Sequence, residues 1–386
     1  MELEKKGAKK SKSSGKEVSK ATGKTISRVS VKEKVSRAEG VELDDLRVKN
    51  QDQPLRFNDW YFTMHFSHEG KERLAKFSIT EGTLLGQFDS FNYATGPLSL
   101  EKDNDIQVLK KPSDTIDMAI PPSSKDAFKY REDDEGAVIE MDDLTVFCSK
   151  EEQKVISKNE KLGCELTFKP RGPPLFWGGA RNATSRITEG TEVDGLEDLS
   201  DVQGKIIVDG EELEVEGKGL FEHVWFNKLD FFAIRQVDWI YLNFDQMYTF
   251  FCPVESVLSD GRPNHHVTGT VYMISEDDYL SAKEIEVVPD TWVFVEECHR
   301  FIPTQYKVKV ETDKGVLNMN AALALYPQFI QKVKLDNLRM QGIYAWNVNF
   351  YDAPITLTGE FVYKDGKTVK LTNGRGMNET IRIAPL

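Results

Sequence analysis

The strongest constraint in this chain is a motif that occurs twice. In each copy an Asp-Gly pair predicts a hairpin turn, an alternating run predicts a strand, and the pattern G-x-G-x-x-E follows. The first copy contains Asp209-Gly210, Gly217 and Glu222, and the second contains Asp365-Gly366, Gly374 and Glu379. A repeat this far apart is too long for a solenoid or a propeller and predicts two β domains of about 160 residues.

Short strands account for most of the chain after Leu55. The 22 Phe, 12 Tyr and 6 Trp favour strands with large buried side chains. Alternating runs recur between Gly, Asp-Gly and Pro turns, beginning with a hairpin over residues 59–79. Helical periodicity is scarce. We therefore predict an all-β protein built from antiparallel barrels or sandwiches.

The N-terminal segment, residues 1–45, differs from the rest in composition. It is rich in Lys, Ser, Gly and Thr and contains no aromatic residue. Such a segment cannot bury enough apolar area to offset the entropy lost on ordering, so we predict a disordered basic tail. Two interpretations stay open: a tether to nucleic acid or to an anionic membrane, and a solvated extension.

Charge, cysteine content and hydropathy exclude several classes of protein. The net charge is −13 although the tail is basic, so we expect no nucleic-acid binding through the folded domains. The cysteines form no CxxC pair and no metal-ligand spacing, and we predict reduced thiols in or near the core. They are Cys148, Cys164, Cys252 and Cys298. Without a secretory h-region or an apolar run of about 20 residues, we expect a soluble, cytoplasmic protein with no transmembrane segment.

The segment Lys169–Leu199 interrupts the strand pattern. Several Pro and Gly residues break it, yet it contains the apolar run Leu175-Phe176-Trp177. We predict a long ordered loop that runs over a barrel mouth and places Trp177 at a binding site. The alternative is a simple connector.

The residues that could carry chemistry concentrate between Gly217 and Phe251. Alternation on a strand places His223 and Trp225 on one face and Glu222 on the other. In the next run, Trp239 and Tyr241 share a face, and Asp238 points the other way. We predict that one barrel interior holds His223, both tryptophans and Tyr241 as an apolar pocket with one titratable group.

Each of these residues also has a structural interpretation. Glu222 has a counterpart in Glu379, which favours a hydrogen bond that ties down a strand or loop. His223 has no counterpart in the second copy, but it is also compatible with a buried core histidine. Trp60 is predicted to lie in the core or in a pocket wall. The adjacent His265-His266 alternates between faces, so we predict no metal site there.

The motifs resemble a known family. The run Gly204–Gly210, the run Val215–Trp225 and the strand Trp239–Leu242 resemble the carotenoid 1,2-hydratase (hydroxyneurosporene synthase) and AttH-like family. Asp59–Phe62 is similar to the family's N-terminal strand, which more often begins Glu-Trp-Trp-Tyr. The resemblance implies two tandem lipocalin-like antiparallel β-barrels, which we place at residues 46–226 and 227–386.

The resemblance also implies an activity. Hydratases and cyclases of this kind act on hydrophobic isoprenoid-type molecules by acid catalysis without a cofactor or a metal. Glu222 or Asp238 would then donate the proton, and His223 would orient water or the acid. Aromatic side chains would face a carbocation and line the substrate. They are Trp225, Trp239, Tyr241, Trp60 and Trp177.

A second hypothesis needs no catalysis. A barrel or crevice lined by aromatic side chains suffices for a lipocalin-like binding protein with an apolar ligand. The sequence identifies neither the ligand nor the oligomeric state. We therefore carry both hypotheses, an enzyme and a binding protein, to the structure.

Overall fold

The computed structural model describes most of the chain. The described residues are 25–27, 40–50, 56–68, 71–84, 87–99, 128–159, 162–208, 210–230, 233–295, 300–324, 328–334 and 346–385. Cys298 and most of the predicted tail lie outside these residues. No helix within them is long and apolar enough to cross a membrane.

The described elements are one short α-helix, one 3₁₀ helix (Ile274–Glu276) and 23 strands. In the N-terminal part they are β1 (Thr25–Ser27), α1 (Leu43–Leu46), β2 (Arg56–His68), β3 (Lys71–Leu84), β4 (Gln87–Ser99), β5 (Phe128–Glu132), β6 (Gly136–Met141), β7 (Leu144–Ser149), β8 (Gln153–Ser157), β9 (Leu162–Pro170), β10 (Leu175–Phe176), β11 (Ser185–Arg186), β12 (Glu192–Val208) and β13 (Glu211–Lys228). In the C-terminal part they are β14 (Ile234–Asn243), β15 (Met247–Val257), β16 (Pro263–Met273), β17 (Asp278–Leu280), β18 (Ala282–Val295), β19 (Arg300–Thr312), β20 (Gly315–Leu323), β21 (Gln328–Lys334), β22 (Trp346–Tyr363) and β23 (Thr368–Pro385).

These strands form two antiparallel sheets. The N-terminal sheet contains β2 to β13 in the order β4-β3-β2-β13-β12-β9-β8-β7-β6-β5, and β10 and β11 pair with β12. The C-terminal sheet has the order β1-β18-β19-β20-β22-β23-β14-β15-β16-β17, and β21 pairs with β22. Each sheet curls into a half-barrel, which confirms the prediction of two tandem lipocalin-like units in an all-β chain. The domain boundary at 226/227 stays a prediction.

The sequence repeat occupies the same place in both sheets. The first copy lies on β13, which pairs with β2, and the second lies on β23, which pairs with β14. In both copies a glycine meets the backbone of the neighbouring strand. A Cβ at Gly217 would lie 2.0 Å from the carbonyl oxygen of His65, and one at Gly376 would lie 2.0 Å from that of Tyr241. The repeated glycines therefore reflect close backbone approach.

Replacing Gly217 with alanine is expected to lower the free energy of unfolding by about 2 kcal/mol, because the strands must separate to admit the methyl group. Urea unfolding measures this. The matched control is Gly210→Ala, where the added Cβ has no neighbour within 4 Å and the φ of 82° adds only backbone strain of about 1 kcal/mol. Equal losses in the two variants would contradict the close approach.

The predicted tail contains some regular structure. Thr25–Ser27 pairs with Ile285–Val287 of β18 as an edge strand. Val41 near the end of the segment and Leu46 just after it are buried in the core of the N-terminal sheet. Residues 25–27 and 40–45 therefore find partners at an open sheet edge and in an open half-barrel, and the disorder of the tail stays a prediction. The rest of the tail lies outside the described residues.

The predicted loop over Lys169–Leu199 is shorter than expected. Residues 192–199 belong to β12, and the irregular part, which we term the crossing loop, covers residues 171–191 and contains β10 and β11. It is ordered because side chains of the C-terminal sheet hold its backbone. The Tyr248 and Tyr279 hydroxyls donate to the carbonyl oxygens of Pro173 and Pro174, and Thr270 Oγ1 donates to that of Phe176 at 3.2 Å.

Three large hydrophobic layers and a small cluster of Val295, Ile302 and Tyr351 make up the core of the described residues. One fills the N-terminal half-barrel and includes Trp60 and Phe221, and one fills the C-terminal half-barrel and includes Ile240 and Tyr306. The third, which we term the inter-sheet layer, lies between the sheets and includes Tyr241. The described cysteines are free and buried, as predicted; they are Cys148, Cys164 and Cys252.

Candidate functional site

Strand β13 separates the two residues that the sequence places side by side. Leu220 and Val224 belong to the inter-sheet layer, so Glu222, which shares their face, points between the sheets. His223 points the other way, into the N-terminal half-barrel, where its ring stacks on Trp60 at a centroid distance of 4.7 Å and an interplanar angle of 9°. The acid and the imidazole therefore occupy different layers.

His223 is a core histidine. Its Nδ1 lies 2.7 Å from the carbonyl oxygen of Asp45, so Nδ1 carries the hydrogen and donates. Burial lowers the pKa of His223 to about 3, against the opposing effect of that hydrogen bond, so the ring is neutral. Trp225 lies beside it, with ring centroids 5.0 Å apart.

The prediction that one interior holds His223, Trp225, Trp239 and Tyr241 is wrong. The first two lie with Trp60 on the N-terminal half-barrel side, whereas Trp239 and Tyr241 lie in the inter-sheet layer. Alternation assigns residues to faces of a strand correctly, but it does not say which face meets the second sheet. Glu222 and Glu197, which lie opposite each other on β13 and β12, face the inter-sheet layer, so the candidate site moves there.

Asp238 has a structural environment. The Arg382 guanidinium donates to Oδ1 at 2.9 Å, and Thr380 Oγ1 donates to the same oxygen at 2.8 Å. Gln236 Nε2 donates to Oδ2 at 3.0 Å. Asp238 and Arg382 are both buried, so the carboxylate serves as the partner of a buried cation on the half-barrel side of β14. This surrounding does not favour Asp238 as a proton donor.

A row of acids crosses the inter-sheet face of the N-terminal sheet. Glu197 of β12 lies opposite Glu222 of β13, and Glu222 lies opposite Tyr61 of β2. Directly opposed residues on antiparallel strands have Cβ atoms about 5 Å apart, so two ionised carboxylates there would repel each other. Among the described residues, burial and the charges of Glu197, Asp59, Glu379 and Lys76 act on the Glu222 carboxyl group, and no hydrogen bond to it is seen. The structural interpretation of Glu222, a hydrogen-bonded tie, therefore has no support here.

The duplicated glutamates differ in their surroundings. Glu379 accepts a hydrogen bond from the buried Lys76 ammonium, with Nζ 3.1 Å from Oε2. Lys76 Nζ also lies 4.3 Å from the centre of the Tyr61 ring. Asp59 accepts hydrogen bonds from the Ser78 and Thr80 hydroxyls at 2.7 and 2.8 Å. We term Asp59, Glu197, Glu222, Glu379 and Lys76 the acid cluster.

Protons are retained in this cluster at neutral pH. Burial raises the pKa of Glu197 to about 8 and that of Asp59 to about 7, in each case against opposing hydrogen bonds. Burial raises the pKa of Glu222 well above its usual range, and the neighbouring carboxyls of Glu197, Asp59 and Glu379 raise it further. One buried ammonium cannot balance four carboxylates. Glu197 and Glu222 are therefore carboxylic acids that can donate protons at neutral pH.

Aromatic rings surround the acids. The Trp239 indole N–H donates to Glu197 Oε1 at 2.6 Å. Its ring lies 5.5 Å from that of Tyr61 in an edge arrangement and 6.2 Å from that of Tyr241 in a stacked one. Trp177 of the crossing loop faces the same layer and packs on Phe250 at 5.1 Å. Glu222, Trp239, Tyr241 and Trp177 therefore all face the inter-sheet layer, and their roles as acid and substrate-binding residues stay predictions.

Sequence reasoning missed Glu197, Asp198 and Lys76. A signal was present, because each is a charged residue inside an apolar run: Leu196-Glu197-Asp198-Leu199 on β12 and Leu74-Ala75-Lys76-Phe77 on β3. Charged residues in such runs are seldom fully buried unless they have a role. In the structure Glu197 and Asp198 are 0% exposed and Lys76 is 1% exposed.

A polar groove lies beside the inter-sheet layer. It has a volume of about 360 Å³ on the outer face of the C-terminal sheet, and its walls include Gln305, Asn320 and Arg375. Arg375 lies on the same face of β23 as Met377, which belongs to the inter-sheet layer, and Glu379. Among the described residues no group of three acidic, histidine or cysteine side chains could hold a metal ion.

Solved structures share this fold. A protein of Nitrosomonas europaea (NE1406), assigned as AttH, matches with a TM-score of 0.61 at 15% identity, over 89% of this chain and 97% of that one. Kievitone hydratase of Nectria haematococca matches with a TM-score of 0.57 at 12% identity, over 90% and 96%. CghA with Sch210972 matches with a TM-score of 0.57 at 11% identity, over 93% and 98%. No family model matches the chain, and no curated protein does either.

Proposed function

We propose that this chain is a carotenoid 1,2-hydratase/AttH-like protein that acts on a hydrophobic isoprenoid-type molecule by acid-catalysed hydration or cyclisation without a cofactor. The observation that carries the proposal is Glu222, a buried carboxylic acid between the sheets that faces Glu197 and to which no hydrogen bond is seen among the described residues. A proton held this way is available to a weak base such as an alkene.

The chemistry follows from the cluster. Glu222 transfers its proton to one alkene carbon, the π electrons form the new C–H bond, and the other carbon becomes a cation. A water oxygen then forms the C–O bond, and its excess proton returns to the Glu222 carboxylate. In a cyclisation a second alkene of the substrate attacks the cation in place of water, and the same carboxylate removes a proton from carbon.

The surroundings support such an intermediate. The rings of Trp239, Tyr241 and Tyr61 lie in the same layer, and an aromatic face contributes about 2 kcal/mol to holding a desolvated cation. Because the layer excludes bulk water, the cation lasts long enough for the intended partner to attack. One structural neighbour is named a hydratase and another is described with Sch210972, which agrees with a small-molecule role for this fold.

The test is incubation with acyclic carotenoids and shorter polyprenyl compounds in water labelled with oxygen-18. We expect a product that gains one labelled water, or an isomer of unchanged mass if the reaction is a cyclisation. The alternative is the non-catalytic binding protein. It would be favoured if native mass spectrometry shows a retained apolar ligand while no compound is consumed. If no product forms and no ligand is retained, both the enzyme hypothesis and the binding-protein hypothesis are contradicted.

A further inference from the structure

We propose that the end of the β18–β19 hairpin docks on an anionic lipid bilayer together with residues 1–24, which we term the basic segment. Three exposed aromatic side chains, Trp292, Phe294 and Phe301, enter the boundary between the headgroups and the acyl chains. The lysines of the basic segment bind the headgroups. No residue of the acid cluster takes part, so this surface is independent of the proposed function.

The hairpin end carries the large hydrophobic side chains that are most exposed among the described residues. Trp292 is 49% exposed, Phe294 is 44% exposed and Phe301 is 63% exposed. Phe294 and Phe301 lie directly opposite each other on the two strands, and their ring centroids are 5.2 Å apart in an edge arrangement. Trp292 lies two residues before Phe294 and therefore on the same face of β18. Single exposed hydrophobic side chains are common, but a group of adjacent aromatic ones indicates an interaction surface.

The other face of the hairpin end is packed. Val295 and Ile302 are fully buried and form the small cluster with Tyr351 of β22, and Val293 packs against that cluster. Because side chains alternate along both strands, the same packing that fixes the hairpin end holds its aromatic face outward. The exposed rings therefore belong to a folded strand pair.

The basic segment leaves the fold in the direction of this hairpin end. β1 runs antiparallel to β18, with Thr25 beside Val287, so the backbone before Thr25 heads toward the C-terminal end of β18. Trp292 lies about 17 Å further along that strand. Since a chain spans at most about 3.4 Å per residue, Lys16 and Lys20 are within reach of the hairpin end.

The charge of the basic segment indicates an anionic partner. Residues 1–24 contain eight lysines and three glutamates, and Arg300 is an exposed cation at the hairpin end. Glu296 and Glu297 follow β18 in the sequence and oppose this attraction, but the lysines outnumber them. Polybasic segments bind anionic lipid surfaces, and inserted apolar side chains supply the second anchor that stable attachment needs. Because the whole chain has a net charge of −13, the rest of its surface is repelled, which orients this end toward the bilayer.

The size of the aromatic patch favours a bilayer over a second copy of this chain. The exposed parts of the three side chains amount to about 300 Å². A stable protein interface buries about 800 Å² on each partner. A bilayer requires no such area, because the lysines add their own attraction. Nucleic acid would also attract the lysines, but the rings of Phe294 and Phe301 have no group that binds phosphate.

The experiment measures binding of the full chain to lipid vesicles by co-sedimentation. One set of vesicles contains phosphatidylcholine with about a third of phosphatidylserine, and the other contains phosphatidylcholine alone. In about 0.1 M salt we expect binding to the anionic set to be about tenfold tighter, and to weaken as salt rises because ions screen the lysines. Brominated lipid should quench tryptophan fluorescence in the unaltered protein, and the quenching should be lower in Trp292→Phe.

Two variants test the two parts of the surface separately. Phe301→Ala removes the most exposed ring and should weaken binding to anionic vesicles about tenfold. Replacing both Lys16 and Lys20 with glutamine should also weaken it about tenfold. Lys129→Gln is the matched control for charge, because Lys129 is exposed on β5 of the other sheet. Its binding should equal that of the unaltered protein.

Losses in both test variants, with Lys129→Gln unchanged, would support the bilayer as partner. Absence of binding to anionic vesicles, or equal binding by Phe301→Ala and the unaltered protein, would overturn the proposal. Sedimentation velocity tests the second copy: a dimer that Phe301→Ala converts to a monomer would assign the hairpin end to a protein interface instead. A duplex oligonucleotide that binds the protein and loses affinity in Phe301→Ala would assign it to nucleic acid, and the lipid surface would again be overturned.

Discussion

Replacing Glu222 with glutamine is expected to lower the turnover of a hydrated or cyclised polyprenyl substrate by about 100- to 10,000-fold. Glutamine has nearly the same shape, so the inter-sheet packing around Leu220 and Val224 should persist. What the variant lacks is the carboxyl proton, since an amide does not protonate an alkene. Initial rates at saturating substrate measure the loss, and circular dichroism and urea unfolding establish that the fold is retained.

The matched control is Glu216→Gln, the same substitution on the same strand at an exposed position. Its turnover should equal that of the unaltered protein. Undiminished turnover in Glu222→Gln would remove Glu222 from the mechanism. In that case Glu197, which faces it across the strand pair, becomes the residue to replace next.

Replacing Glu197 with glutamine is expected to flatten the pH dependence of stability. The pKa of Glu197 is about 8 in the folded protein, against an ordinary value of 4.5. Between these values the folded state holds a proton that the unfolded state releases. The free energy of unfolding is therefore highest below pH 4.5 and falls as the pH rises toward 8. For this one group the loss is about 3 kcal/mol by pH 7, at 1.36 kcal/mol for each pH unit.

Between pH 4.5 and pH 7, the free energy of unfolding of the variant should fall by about 3 kcal/mol less than that of the unaltered protein. Glutamine keeps the hydrogen bond from the Trp239 indole, because its side-chain oxygen replaces Oε1. The unfolding free energy of the variant should still fall with rising pH, though less steeply, since burial also raises the pKa of Asp59 to about 7. Urea unfolding at several pH values from 4.5 to 8 measures the slopes. The control is Glu165→Gln, which replaces an exposed glutamate and should show the same dependence of unfolding free energy on pH as the unaltered protein. If Glu197→Gln shows that dependence too, the raised pKa of Glu197 is contradicted.

The sequence predicts the two similar half-barrels because each contains the same short motif, whose residues are close in sequence. A Gly-x-Gly pair that meets the backbone of the neighbouring strand leaves the same signature in β13 and β23. The alternation of side chains along a strand then places Glu222 and His223 on opposite faces, and Asp238 and Trp239 likewise, whichever strands pair with them. These features depend on residues that are close in sequence.

The acid cluster depends on residues that are far apart in sequence. Glu197 matters because β12 places it opposite Glu222, and Lys76 matters because it reaches Glu379 on the other sheet. Nothing local indicates that the outer face of one half-barrel packs against the other. Asp238 was predicted as a proton donor for the same reason: its ion-pair partner Arg382 lies far away in the sequence, near the C-terminus.

The most direct test of the account is the protonation state of Glu222 at pH 7. Infrared difference spectra between the unaltered protein and Glu222→Gln isolate the bands of this one side chain. We predict that the variant loses a carbonyl band of a neutral carboxylic acid. Loss of the two bands of an ionised carboxylate instead would mean that Glu222 has no proton to donate, and it would contradict the central claim.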